Sequence, residues 1–343
     1  MEEKSTAAIL RTIFEARPYQ PAGWLPSPHG QTIAGRYLRR HPPVPFRRER
    51  VDTPDGDFLD LDFAPASDLP GDAPLVLLLH GLEGSARRGY AIETYHALAQ
   101  RGVRGVGLNF RSCSGEINRA ARFYHSGDTG DIRLVARLLR ARFPEAILGA
   151  IGFSLGGNAL LKFLGEEGAA APFAAAVAVS VPYDLSAGAD ALDSSFMGRL
   201  YTRAFVKSLL AKAETKRVQL DGVCDIERIR NATSFRDFDD AATAPLHGFD
   251  GAEDYYARSS SAGFITSIRV PVLLLHAADD PFLPPSAFPR AAIAANPMVT
   301  AVVTPKGGHV GFIEGSPWRP RFWAEEQAAA FLAVQLTVPR PLR

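Results

Sequence analysis

The chain has 343 residues, 46% hydrophobic and 22% charged, with a formal net charge of +1. That is enough chain to bury one enlarged α/β core, and the near-neutral balance excludes an electrostatic case for nucleic acid. Two cysteines, Cys113 and Cys224, cannot build a disulfide framework and point to a reducing compartment.

The N-terminus, MEEKSTAAILRTIFEARPY, opens acidic and holds no sustained apolar run, so no cleaved signal peptide is expected and the expected location is cytoplasmic. Residues 1–45 read as a Pro-rich leader packed on a domain spanning 46–343, with Trp24 and His29 as packing and hydrogen-bonding residues. FRRERVDT and FLDLDFA, joined through Asp55-Gly56, predict an opening hairpin, because the second run alternates apolar and polar residues. Strand and helix patterns then alternate to the end of the chain. PLVLLLH, VRGVGLNF, AILGAIGF, FAAAVAVSVP, VPVLLLHAADD and VTAVVTP read as strands; YAIETYHALAQRG, DTGDIRLVARLLRARF and roughly Trp323–Leu336 read as helices. This order predicts a mostly parallel sheet flanked by helices on both faces. The strand runs are continuous and apolar, as burial on both faces demands. The longest, Leu75 to Leu79, falls far short of the roughly 18 residues of a membrane span.

One strand run leads straight into chemistry. AILGAIGFSLGG puts Ser154 between a strand and a helix, with Gly152 and Gly156 two residues either side: the G-x-S-x-G nucleophile elbow. A strand turning directly into a helix strains the serine backbone and leaves no room for side chains across the turn. The same turn lifts the hydroxyl above the sheet and aims the N–H of Leu155 at a developing oxyanion.

A serine hydroxyl needs a base, and the base needs an acid to hold its tautomer. HAADDPFLPP places Asp279 and Asp280 after a strand, and PKGGHVGF places His309 in a Gly-rich loop after the next one. Ser, Asp, His is the order expected of this architecture. Asp280 is the expected acid because it directly precedes the Pro281–Pro284 turn; Asp279, the runner-up, would cap or brace the loop. The second oxyanion donor is expected from the loop after PLVLLLH, at the amide of Leu82, with His80 supporting that loop by hydrogen bonds.

Between Pro182 and Val270 lies a segment of different character, a lid insertion at about 185–268. In SFMGRLYTRAFVKSLLAKA, Phe196, Met197, Leu200, Tyr201, Phe205, Leu209 and Leu210 form an apolar stripe against Arg199, Arg203 and Lys207. This predicts an amphipathic helix with a basic outer face, packed on the domain, with peripheral membrane contact as the alternative. Asp237, Asp239 and Asp240 read as a solvated acidic turn and not a metal site.

HGLEGS, NFRSCSGEINR, YHSGDTGDI, GFSLGGNALLKFLGEEG, TAPLHGF, EDYY, HAADDPFLP and GGHVGF, with WLPSPHGQTI in the leader, together resemble the YheT-like branch of the α/β-hydrolase superfamily. They are similar also to the related abhydrolase-domain lipases of animals. The resemblance covers nearly the whole chain. It implies an eight-stranded α/β-hydrolase fold, a Ser154, Asp280, His309 relay and cleavage of carboxylic esters. Within NFRSCSGEINR, Arg111 and Glu116 are expected to brace the loop as an ion pair, and Cys113 to be a small packed residue. A His-x4-Asp pattern, tied in relatives to acyl transfer, is not met, since Asp128 and Asp131 fall at other steps from His125.

The expected activity is a serine esterase acting on short to medium acyl chains, with no cofactor or metal. The alternatives are an acyltransferase, a monoacylglycerol or phospholipid hydrolase using the same three residues, and a binding protein on a hydrolase scaffold.

Overall fold

The computed structural model of the chain describes residues 14–66 and 68–337. The predicted hairpin opens the sheet: β1 (Arg47–Asp52) and β2 (Phe58–Phe63) run antiparallel, with Gly56 at φ 78° in the turn. β3 spans Leu75–Leu79, β4 Arg104–Asn109, β5 Leu148–Phe153, β6 Ala175–Val179, β7 Val272–Ala277 and β8 Val299–Thr304. The sheet has eight strands in the order β1-β2-β4-β3-β5-β6-β7-β8. β2 meets β4 antiparallel, and every pair beyond is parallel.

Helices cover both faces. They are α1 (Pro28–Leu38), α2 (Gly89–Ala99), α3 (Gly130–Arg142), α4 (Leu155–Glu167), α5 (Leu185–Ser194), α6 (Phe196–Thr215), α7 (Ala252–Ser259) and α8 (Trp323–Thr337), apart from short turns. Successive residues of β3 point to opposite faces: Leu75, Leu77 and Leu79 join one core with α3 and α4, Val76 and Leu78 the other with α2 and α8. Two buried faces are why these strands read as unbroken apolar runs. The chain leaves β3 for β4 on one side and reaches β5 on the other, so a crevice opens at the carboxyl ends of β3 and β5.

Three elements differ from expectation. The leader is more than a wrap, because it contains α1, capped by Ser27, whose Oγ accepts from Gly30 N–H, and started by Pro28. Its buried residues are Gln31 and Gly35, a polar and small face that no apolar period announces. After β8 a two-stranded ribbon, β9 (Ile313–Ser316) and β10 (Arg319–Phe322), precedes α8. Strands of four residues, one of them carrying Pro320, leave almost no sequence pattern.

The third difference is how α6 lies. Its basic face is solvent-exposed at Arg199, Arg203 and Lys207, as expected. The buried seam, however, is Gly198, Thr202, Val206 and Ala213, small residues that allow close packing, while Phe196 is 68% and Leu200 41% exposed. Tyr201, Phe205 and Leu209 turn instead into a cavity. Among the described residues, no helix is long and apolar enough to cross a membrane.

Candidate active site

A single residue, Ser154, separates β5 from α4, with φ 52° and ψ −120°. That conformation costs a non-glycine residue of order 1–3 kcal/mol, and its surroundings hold it: Ser154 N–H donates to Val179 O at 2.8 Å, and its carbonyl accepts from Asn158 N–H at 3.0 Å. The flanking glycines are required by space. A Cβ at Gly156 would come within 2.5 Å of the carbonyl oxygens of Leu79 and His80, and one at Gly152 would collide with the carbonyl of Gly156.

His309 and Asp280 converge on this turn. Nε2 of His309 lies 2.8 Å from Ser154 Oγ, and Nδ1 lies 2.8 Å from Asp280 Oδ2. The Asp280 side chain is wholly buried and accepts a second bond, from Phe282 N–H, at 2.9 Å on Oδ1. A carboxylate can only accept, so Nδ1 carries the proton and Nε2 presents its lone pair to the serine hydroxyl. Asp279 points elsewhere, to Gly308 N–H at 2.9 Å, and burial raises its pKa. The ring of Phe282 stacks on the imidazole, centroids 4.3 Å apart and planes at 19°.

The loop after β3 closes over the serine. Gly81 packs against it so tightly that an added Cβ would be 3.3 Å from the Ser154 Cβ. His80 is fully buried, and desolvation pulls its pKa down to about 3, so the ring is neutral. Its Nε2 accepts from Phe110 N–H at 3.1 Å, which leaves Nδ1–H to donate to Gly81 O at 2.8 Å. On either side of Leu82 the amides are taken by tyrosine hydroxyls: Gly81 N–H by Tyr90 at 3.0 Å, Glu83 N–H by Tyr124 at 2.8 Å.

Glu83, at φ 53°, ties this loop to the insertion. Its carboxylate accepts from Lys212 Nζ at 2.6 Å and from the hydroxyl of Ser208, both on α6, and from Tyr124 at 3.1 Å.

The sequence profile described as alpha/beta hydrolase fold matches residues 74–316. YheT of Escherichia coli (strain K12) is 37% identical over 90% of this chain and 91% of its own length. The chain belongs to the YheT-like branch of the alpha/beta hydrolases. Phospholipase ABHD3 of Mus musculus is 32% identical over 87% of this chain and 74% of its own length. The esterase Pf2001 of Pyrococcus furiosus superposes with a TM-score of 0.54 at 17% identity, covering 92% of this chain and 97% of its own, a likeness of fold.

In this YheT-like hydrolase a cavity of about 960 Å³ opens onto Ser154 and His309. The segment between β6 and β7 lines it with Leu185, Leu192, Tyr201, Phe205 and Leu209, and α1 with Thr32, Ile33 and Tyr37. Other walls are polar. The expectation that Asp239 sits in a solvated turn is overturned: it lines the cavity, bonded by Thr243 Oγ1 at 2.5 Å and Tyr256 Oη at 2.8 Å, its pKa pushed up to about 6 by burial. Beside it His125 and His247 pack at 4.4 Å between centroids, and desolvation lowers both to about 3.

The expected Arg111–Glu116 pair does not form. Arg111 binds Asp131 through two bonds of 2.8 Å and reaches Asp55 and Asp57 at 2.9 Å, whereas Glu116 pairs with Arg50. Proximity in sequence favoured Glu116, but the buried guanidinium is met by two buried carboxylates, Asp57 after the hairpin turn and Asp131 of α3. Cys113 packs as expected, its thiol 3.3 Å from Lys212 Nζ and its pKa raised by burial. Trp24 Nε1 donates to Gly315 O at 2.9 Å, and His29 Nδ1 lies 3.1 Å from Tyr201 Oη. Thr32, Ser180, Glu83 and Phe282 touch the site or its loops and were not anticipated. Phe282 lies inside the Asp280–Pro284 turn, Glu83 in HGLEGS beside Leu82 and Thr32 in WLPSPHGQTI, so those three had a positional signal; Ser180 ends a strand run and had none.

Proposed function

We propose that the protein is a serine hydrolase that cleaves carboxylic esters through an acyl-enzyme. The observation that carries this is the unbroken hydrogen-bond line from Asp280 through His309 to Ser154, with 2.8 Å at each step. Ser154 Oγ attacks the ester carbonyl while His309 Nε2 takes its proton, and Asp280 stabilises the imidazolium that forms. The amides of Leu82 and Leu155 receive the oxyanion. Support for these two donors comes from the neighbours: Tyr90 and Tyr124 occupy the amides flanking Leu82, and Leu155 heads α4, where N–H groups lack helical acceptors. His309 then gives its proton to the leaving alcohol, and water repeats the cycle on the acyl group.

The substrate is a small-molecule ester with a short to medium acyl chain, handled in the cytoplasm. The cavity is near the upper end of the roughly 300–1,000 Å³ usual for small-molecule sites, but Asp239, Glu83, His125 and Lys212 interrupt its apolar wall and limit the contact open to a long chain. The exposed Phe196 and Leu200, next to Arg199 and Arg203, favour a second reading: a lipid ester presented at an anionic surface.

Initial rates on p-nitrophenyl esters from acetate to palmitate, beside monoacylglycerol and lysophospholipid, test this. The expected profile peaks between butyrate and octanoate and vanishes in Ser154→Ala. Turnover confined to long-chain lipid in micelles would replace the first reading with the second, and product partition with an added alcohol reports acyl transfer.

A further inference from the structure

The structure assigns helix α1 of the leader a part in this reaction: Thr32 is a positioning residue for His309. The assignment rests on the reading of His309 as the base. His309 sits in a strained loop, with φ of 61° at Gly308, 54° at Val310 and 45° at Phe312. Such backbone persists only where its surroundings over-determine it. Here three consecutive amides are each caught by a side-chain oxygen from a different element. Gly308 N–H goes to Asp279 at 2.9 Å, His309 N–H to Thr32 Oγ1 at 2.9 Å, and Val310 N–H to Ser180 Oγ at 3.0 Å. Asp279 and Ser180 follow strands of the sheet; Thr32 comes from the leader, before the segment 74–316 that carries the family profile. The Thr32 hydroxyl donates to Pro28 O at 2.8 Å, so its proton is committed and its lone pair faces the histidine amide.

Gln31 of α1 and Arg39, its C-cap, close the gap. Gln31 Oε1 accepts from Ile313 N–H at 2.8 Å, and Arg39 Nη2 donates to Val310 O at 2.9 Å and Gly311 O at 3.1 Å. A Cβ at Gly308 would land on the carbonyl of Pro28, and one at Gly311 would come within 2.7 Å of Gln31 O. Helix and loop therefore meet backbone to backbone, with no slack. The motif WLPSPHGQTI now has a physical role: Ser27 caps the helix, Pro28 starts it, and Gln31 and Thr32 hold the loop. Other ties fasten the leader elsewhere, Trp24 to Gly315 at 2.9 Å and Arg17 to Glu314 at 2.7 Å. Removing the Thr32 hydroxyl therefore frees the histidine peptide without releasing the leader.

The test uses the full chain and p-nitrophenyl butyrate, with kcat, KM and melting temperature measured for Thr32→Val, Thr32→Ser and Trp24→Phe. Thr32→Val should lose about ten- to hundredfold in kcat, the cost of a misplacement near 1 Å, with KM close to wild type and a melting temperature lowered by no more than about a few degrees. Thr32→Ser should recover most of kcat, and Trp24→Phe should keep it. A folded Thr32→Val with wild-type kcat overturns the assignment, as does an equal loss in Trp24→Phe. Should Thr32→Val not fold, Thr32→Ala replaces it, and equal kcat in the Ala and Ser variants is again a refutation. Failure of the esterase reading looks different: wild type itself would then neither turn over esters nor take up a serine-directed fluorophosphonate.

Discussion

Two adjacent aspartates offer a sharp test, because the same substitution should have opposite consequences at each. Asp280 accepts from two donors, His309 Nδ1–H at 2.8 Å and Phe282 N–H at 2.9 Å. An asparagine has one accepting oxygen and cannot serve both. If its oxygen stays on His309, its NH₂ faces the Phe282 amide; if it flips, the NH₂ faces Nδ1 and drives the imidazole proton to Nε2. In that tautomer His309 offers Ser154 an N–H instead of a lone pair. The expected loss for Asp280→Asn is about 10⁴ in kcat, with KM little changed. The Asp279 side chain accepts from Gly308 N–H at 2.9 Å, a bond that an asparagine oxygen can still accept. Asp279→Asn should therefore stay within about tenfold of wild type, the scale of one hydrogen bond's net worth of roughly 1 kcal/mol. Kinetics on p-nitrophenyl butyrate, normalised to correctly folded enzyme by circular dichroism and melting, would read both. Equal losses, or the greater loss at Asp279, would refute the assignment of roles.

Further outcomes follow from single contacts. Gly152→Ala forces a methyl onto the Gly156 carbonyl; overpacking against backbone costs about 1–3 kcal/mol or more, so its melting temperature should drop by several degrees, and an unchanged melt would show that the elbow can relax. Lys212→Met leaves the Glu83 carboxylate with only hydroxyl donors, a loss of about 1–3 kcal/mol in urea unfolding, and α6 should become more open to limited proteolysis; wild-type values on both would remove the clamp from the account. His80 has its pKa pulled from 6.5 to about 3. Below pH 6.5 the unfolded chain binds a proton there that the folded chain does not, so stability falls with pH until the folded group titrates near its own value. Between pH 7 and 5 that amounts to about 2 kcal/mol. His80→Gln should shrink the pH 7-to-5 difference in unfolding free energy by about that much, and an unaltered difference would contradict burial of the neutral ring.

The sheet was legible because both faces of each central strand are buried, which writes an unbroken apolar run into β3, β5 and β7. Ser154 was legible for steric reasons: its turn tolerates only glycine at 152 and 156. What escaped were contacts between distant positions whose chemistry is a single hydroxyl or carboxylate. Thr32 meets His309 across 277 positions and Lys212 meets Glu83 across 129. Neither residue belongs to a periodic pattern, and each partner is a backbone amide or one charge among many. Arg111 failed for the complementary reason: a nearby Glu116 was the simple partner, but three-dimensional burial required Asp57 and Asp131. Asp239 was read as solvated because it neighbours two other aspartates, yet the turn of chain points it into the cavity toward Tyr256.

Stoichiometric labelling by a fluorophosphonate probe addresses the serine chemistry most directly. Wild-type protein should take up one probe per chain, mapped by mass spectrometry to Ser154, and folded Ser154→Ala should take up none. A folded wild type that stays unlabelled, or a Ser154→Ala variant labelled to the same extent, would contradict the serine-hydrolase account.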